Sequence, residues 1–339
     1  MDIRNRRAIH ERAAAAIAAA PADPNKIALT YTLVSSVLAL IYTLLSAFLT
    51  DRISTTGGLS NMALRSLLST GQTILPLVQL IISSCLGLGY AICVLRITRG
   101  EEAHPETLLD GFRHFGPMLR AVLFQALLYL SYGIVTMYLS SFVFLATPFA
   151  ANFYAVMDPV IESLSASGGE VVVEESVMLA AGETLQPMIW IWLVLFLLLF
   201  LPVFFSYRMA TYCIADNPRQ GALRSLHESK MLMRRNRIAL LKLDLSMWWF
   251  YALQVLISLV CYGDVLLPMI GIELPFNSTV NYYLFFVLSL ILQVVTYYFL
   301  MNRVNVAYAV AFEALKYEDE EEEIPPEIVP QNLPFSTDY

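Results

Sequence analysis

Six apolar runs, at roughly residues 27–49, 73–95, 119–146, 188–213, 239–262 and 281–304, set the terms for this chain. Each is near or above the ~20 residues a helix needs to cross the hydrocarbon of a bilayer. None alternates with period two in ten-residue blocks, which argues against a barrel. Helices remain the form that satisfies its own backbone in lipid. Composition agrees, since 58% of the 339 residues are hydrophobic and 14% are charged. A soluble domain sits nearer 45–50% and about 25%. The expected fold class is all-α: a polytopic helical membrane protein of about six transmembrane helices with cytoplasmic interfacial amphipathic helices.

The basic residues orient the spans. Of 21 Lys and Arg, only Arg52 and Arg65 fall in the first, third and fifth loops between runs. Translocating Lys and Arg is disfavoured, so both termini are expected in the cytoplasm. Three regions follow from this map. Residues 1–26 form an Ala-rich amphipathic helix ended by Pro21 and Pro24, residues 27–316 form the six-span domain, and residues 317–339 form an acidic, proline-containing tail expected to be disordered. The stretch 149–187, with six acidic and no basic residues, reads as a solvated outer loop.

An amphipathic segment precedes the first, third and fifth spans, so the layout repeats three times. The second copy begins at Pro105 and places Leu108, Phe112 and Phe115 on one helical face. The third begins at Pro218, with Asn217 as the expected N-cap and an apolar stripe of Ala222, Leu223, Leu226 and Met233. Beside it Lys230, Arg234, Arg235, Arg237 and Lys242 form a basic cluster facing the membrane surface. Each such residue contributes about 1 kcal/mol near an anionic surface, so anionic lipids are the expected partner. The acidic tail is a candidate site for a protein partner, and no nucleic-acid partner is expected.

Chemistry-bearing motifs are missing. The sequence contains no GxSxG, no Walker loop and no GxGxxG, and its four histidines lack HExxH spacing. No catalytic, cofactor-binding or metal-binding residue is therefore expected, and the chain is not expected to be an enzyme. The four cysteines (Cys85, Cys93, Cys213, Cys261) lie in apolar runs without a CxxC and read as packing thiols. Ser83, Gly87 and Ala91, spaced by four in the second run, suggest a close helix–helix approach. Two ionisable residues lie at similar depth inside the fourth and fifth runs, Arg208 and Asp244. A short carboxylate cannot snorkel as a long guanidinium can, so Asp244 needs a partner, and an Arg208–Asp244 pair is expected.

The stretch Tyr207–Trp248 carries a resemblance. Tyr-Arg-Met-Ala-Thr-Tyr-Cys-Ile-Ala-Asp-Asn-Pro, then Ser-Lys-Met-Leu-Met-Arg-Arg-Asn-Arg, then Leu-Asp-Leu-Ser-Met-Trp-Trp resembles the bacterial integral membrane family known as domain of unknown function 975. The residues that match are Asp216, Asn217, Pro218, Ser229, Lys230, Met233, Asn236, Arg237, Leu243, Leu245 and Ser246. Arg235 stands where a glycine is usual and Met247 where a phenylalanine is usual. The resemblance implies a multi-span protein of a bacterial cytoplasmic membrane with no established activity. It also suggests a distant similarity to the membrane region attached to some glycerophosphodiester phosphodiesterases, whose hydrolase domain has no counterpart here. The expected role is a non-enzymatic organising or accessory protein of the cell envelope; the alternative is a transporter or channel for a small solute or lipid.

Overall fold

The computed structural model describes residues 5–55, 62–166, 175–269, 271–272 and 274–323, all in helices and their connections. In chain order the helices are α1 (Arg6–Ala19), α2 (Pro24–Thr55), α3 (Met62–Thr98), α4 (Asp110–Arg113), α5 (Phe115–Leu145), α6 (Pro148–Ala166), α7 (Glu175–Tyr207) and α8 (Ala210–Asp216). There follow α9 (Ala222–Met233), α10 (Arg237–Ser246), α11 (Trp248–Cys261), α12 (Gly263–Met269), α13 (Ser278–Thr296) and α14 (Asn302–Glu323). Short 3-10 turns at Pro105–Leu109 and Pro218–Gln220 lead into α4 and α9, and a π-helical turn, Tyr297–Met301, joins α13 to α14. Five helical stretches are long and apolar enough to cross a membrane: Pro24–Thr55, Met62–Thr98, Phe115–Leu145, Gly182–Asp216 and Ser278–Tyr317. A sixth is counted only if α10 and α11, which meet at Met247 with a bend of 65°, are taken together as one stretch.

The chain divides into two compact units, Met1–Leu119 with Met209–Tyr339, and Arg120–Arg208. The first is built around α14. Val306, Ala307, Ala309, Ala311 and Phe312 have no exposed surface, and Val304, Tyr308, Val310, Ala314 and Leu315 are buried too. A helix apolar on every side must be enclosed, and α1, α2, α3 and α9 all pack on it. Alanine on successive faces lets those neighbours approach closely. The second unit pairs α5 with α7 through large rings, Tyr129 on Phe200 at 5.0 Å and Phe124 on Tyr207 at 6.4 Å, while α6 packs on α7.

Several local expectations change in three dimensions. Asn217 makes no side-chain cap, and Pro218 opens a 3-10 turn instead of an α-helix. The α-helix begins only after Gly221, whose φ of 84° lies in the left-handed region that glycine enters without steric cost. In α9, Ala222, Leu226 and Met233 are buried as expected, but Leu223 is 69% exposed. Ser225 and Ser229 take its place on the buried face. In the Pro105 segment Leu108 is buried whereas Phe112 and Phe115 are exposed, because a 3-10 turn feeding a four-residue helix cannot hold one α-helical face.

The close approach in α3 is made by Gly89 and not by the Gly87 stripe. A Cβ on Gly89 would lie 2.0 Å from the Leu108 carbonyl oxygen, and one on Gly111 would lie 2.0 Å from that of Cys85. Among the described residues nothing lies within 4 Å of a Cβ on Gly87. Within 149–187, α6 and the first turns of α7 replace the expected loop. At the other end α14 runs on to Glu323, so the first residues of the 317–339 tail are helical, and 324–339 lie outside the described residues. All four cysteines are free thiols, three of them buried.

Candidate functional site

Four polar constellations gather along α14 in the first unit. At its start Asn302, 2% exposed, follows the π-helical turn directly. Its Oδ1 accepts from the Tyr90 hydroxyl at 2.8 Å and its Nδ2 donates to Asn25 Oδ1 at 3.1 Å. Both ends of the amide are used, which ties α14 to α3 and α2 with one side chain. Insertions of the π type often mark functional positions.

Two turns further on, Tyr308 donates to Asp244 Oδ1 at 2.5 Å. A hydroxyl has one proton, so Tyr251 is the donor in its short hydrogen bond to Tyr308. A relay Tyr251–Tyr308–Asp244 results, linking α11, α14 and α10. Near its C-terminal end α14 offers Glu313 and Lys316. Arg99, just past α3, pairs with Glu313 through Nε at 2.9 Å and also with Asp216, the last residue of α8. Lys316 Nζ donates to Asp216 Oδ2 at 2.5 Å. The Asp216 side chain is only 10% exposed. A carboxylate at a helix C-terminus opposes the helix dipole, and two cations offset that. Burial pulls the Arg99 pKa down, but the hydrogen bonds to Asp216 and Glu313 outweigh it and hold it above its ordinary value.

The fourth constellation is a groove of about 530 Å³ between α1, the α10–α11 break and the start of α14. His10, Ala14, Ala18, Met247, Trp249 and Arg303 line it. His10 Nε2 lies 2.9 Å from Ser246 Oγ. Ser246 already donates to the Leu243 carbonyl at 2.6 Å, so His10 donates through Nε2.

The sequence-predicted residues separate by role. Asp216 is the centre of the ionic network, and Ser246 anchors α1 at the groove. Ser229, Met233 and Leu243 have no exposed surface and act in packing. Asn217 and Pro218 form the turn after α8, and Asn236 donates to the Leu232 carbonyl at 3.2 Å where α9 gives way to α10. Lys230, Arg234, Arg235 and Lys242 are exposed, together with Leu245. Arg237 is half-buried, and its Nε is a buried atom with no hydrogen-bond partner among the described residues.

Arg208 belongs to the second unit. It ends an aromatic ladder along α7 in which Trp192, Phe196, Phe200 and Phe204 stack at 5.2, 4.6 and 6.0 Å. The Arg208 guanidinium lies 5.7 Å above Phe204, four residues back, and 5.7 Å above Phe205. The i, i+4 spacing that stacks the rings also brings the cation over the last one. Sequence reasoning missed this ladder, although its spacing was in view. It also missed Arg99, Glu313, Lys316, Tyr308, Tyr251, Tyr90, Asn25 and Asn302.

What these contacts and helices define is an all-helical protein with five to six stretches able to span a membrane and with four polar constellations along one buried helix. Over residues 26–319 the chain matches the family described as Protein of unknown function (DUF975), and it belongs to that family. No curated protein and no solved structure matches it.

Proposed function

We propose that this protein is an integral protein of a bacterial cytoplasmic membrane, with both termini inside. In this reading it is a non-enzymatic organising or accessory protein whose basic α9–α10 face engages anionic lipid. One observation carries the proposal. Exposed cations and exposed large apolar side chains alternate along that segment: Arg224, Lys230, Arg234, Arg235 and Lys242 with Leu223, Ile238, Leu245 and Trp248. The last four are 60–69% exposed. Water favours only the cations, whereas a headgroup layer stabilises both sets. The apolar faces of α2, α5 and α7 support the membrane setting, with Val37 at 55%, Phe142 at 70% and Leu198 at 67% exposure. Water-soluble proteins rarely leave such faces open.

Lipid retained by the full-length protein in mild detergent tests the lipid half. Wild type is expected to retain anionic over zwitterionic phospholipid, and an Arg234→Gln, Arg235→Gln, Lys242→Gln variant is expected to lose that bias. Equal retention of both lipids by wild type would remove the electrostatic part. Cysteine accessibility tests orientation: Arg224→Cys is expected to resist membrane-impermeant reagents in intact cells, and Thr55→Cys to react.

The competing reading, a transporter or channel, draws on the Tyr251–Tyr308–Asp244 relay and on Gln254, whose buried Nε2 has no hydrogen-bond partner among the described residues. Loss of solute flux in an Asp244→Asn variant of unchanged stability would favour it.

A further inference from the structure

The groove beside the α10–α11 break is where the observations reach furthest. Its lining is largely apolar and includes the small Ala14 and Ala18 of α1 together with Met247 and Trp249. Ala14 and Ala18 are exposed, so their side chains leave the space unfilled. The rim carries an exposed guanidinium, Arg303, which makes no hydrogen bond or ion pair with the described residues. Its volume lies within the range of about 300–1,000 Å³ typical of ligand sites. Arg303 follows the π-helical turn, which resets the helical register just before it. Met247 lies at the bend between α10 and α11, and Trp249 is an aromatic of the kind that settles at headgroup level.

We infer that this groove is a discrete binding site for one anionic phospholipid of the surrounding bilayer. The phosphate pairs with Arg303 beside His10, and one acyl chain lies along Ala14, Ala18, Met247 and Trp249. Charge complementarity selects the occupant. An apolar slot alone would take any lipid chain, but a cation with no partner among the described residues favours a headgroup with net negative charge. A guanidinium also matches a phosphate in two parallel hydrogen bonds. The inference rests on the membrane reading above, but not on the α9–α10 face.

Trp249 reports on its own site. In the full-length protein, Trp190, Trp192 and Trp248 are replaced by Phe, and the variant is checked for retained helicity by circular dichroism. It is then placed in nanodiscs of zwitterionic lipid and titrated with phosphatidylglycerol brominated on its acyl chains, or with phosphatidylcholine brominated identically. Phosphatidylglycerol is expected to quench Trp249 at roughly fivefold lower mole fraction, the effect of about one extra cation–anion contact at a membrane surface. Arg303→Gln is expected to abolish the preference and Arg303→Lys to keep part of it. Ala14→Phe, on an exposed position that tolerates bulk, is expected to weaken quenching by both lipids. Neutralising Arg234, Arg235 and Lys242 is expected to leave the Trp249 preference intact, which separates this site from the α9–α10 face. Equal quenching by the two lipids, or a preference that survives Arg303→Gln, would overturn the assignment. So would equally strong quenching by a brominated free fatty acid.

Discussion

Removing the Asp216 charge is the most informative single perturbation, because one carboxylate serves two cations on two other elements. Asp216 accepts from Arg99, just past α3, and from Lys316 of α14, at 10% side-chain exposure. Breaking one side of a fully buried pair costs about 3–5 kcal/mol, and an exposed pair is worth about 0–1 kcal/mol. Here the acid is nearly buried, while Arg99 and Lys316 are 34% and 33% exposed. Arg99 also keeps Glu313, and Lys316 can turn to water. We therefore expect Asp216→Asn to cost about 2–3 kcal/mol, between those limits. Arg99→Gln is expected to match it, since it leaves Glu313 at 17% exposure without its partner. Lys316→Gln should cost only about 1 kcal/mol, the scale of a partly exposed pair. For a unit of this size the larger losses correspond to a fall of roughly 4–12 °C in the thermal midpoint. Thermal unfolding in detergent, followed by far-ultraviolet circular dichroism, measures it. The Arg99→Gln, Asp216→Asn double variant should be less destabilised than the sum by about 1–2 kcal/mol, as for directly contacting charges. Strict additivity, or single variants indistinguishable from wild type, would refute the network as a clamp.

Gly89→Ala is expected to cost about 3 kcal/mol or more, because its new methyl meets backbone that cannot give way, while Gly87→Ala should be neutral; expression level and thermal midpoint compare the two. Tyr90→Phe leaves the buried Asn302 carbonyl without a donor and should cost about 1–3 kcal/mol by the same assay. Tyr308→Phe removes a hydrogen bond to a carboxylate and should cost about 1.5–3 kcal/mol, with Asp244→Asn losing less if done in that background. The Arg208–Asp244 pair remains a proposal, and a double-substitution cycle of Arg208→Gln with Asp244→Asn checks it; partial recovery in the double variant is the expected outcome, and additive losses would discard the pair.

Long-range order was hardest to anticipate for a definite reason. Arg99 meets Asp216 and Glu313 across 117 and 214 residues, and Tyr90 meets Asn302 across 212. Nothing local distinguishes a basic residue at a span end that orients the protein from one that also clamps three elements. The short apolar segment before Lys316 lies beyond the sixth apolar run at 281–304, and its burial on every side comes only from the neighbours that surround it. The aromatic ladder of α7 is different: its four-residue spacing is local, and a helix-face reading of Trp192 to Arg208 could have found it.

By itself the sequence determined the all-helical class, a set of stretches long and apolar enough to span a membrane and the family motif around Asp216, because these depend on local apolar length and on residue order. It also determined that α1 ends before Pro21 and that a basic cluster follows the Pro218 segment. Tertiary structure alone decided that α14 is the packing centre and that Gly89 and not Gly87 is the contact glycine. It also bent α10 against α11 at Met247 and left a groove beside the bend. The physical reason is the same in each case. Helix formation is satisfied within a few residues, whereas packing, ion pairing and the enclosure of a polar group depend on which distant helix arrives alongside.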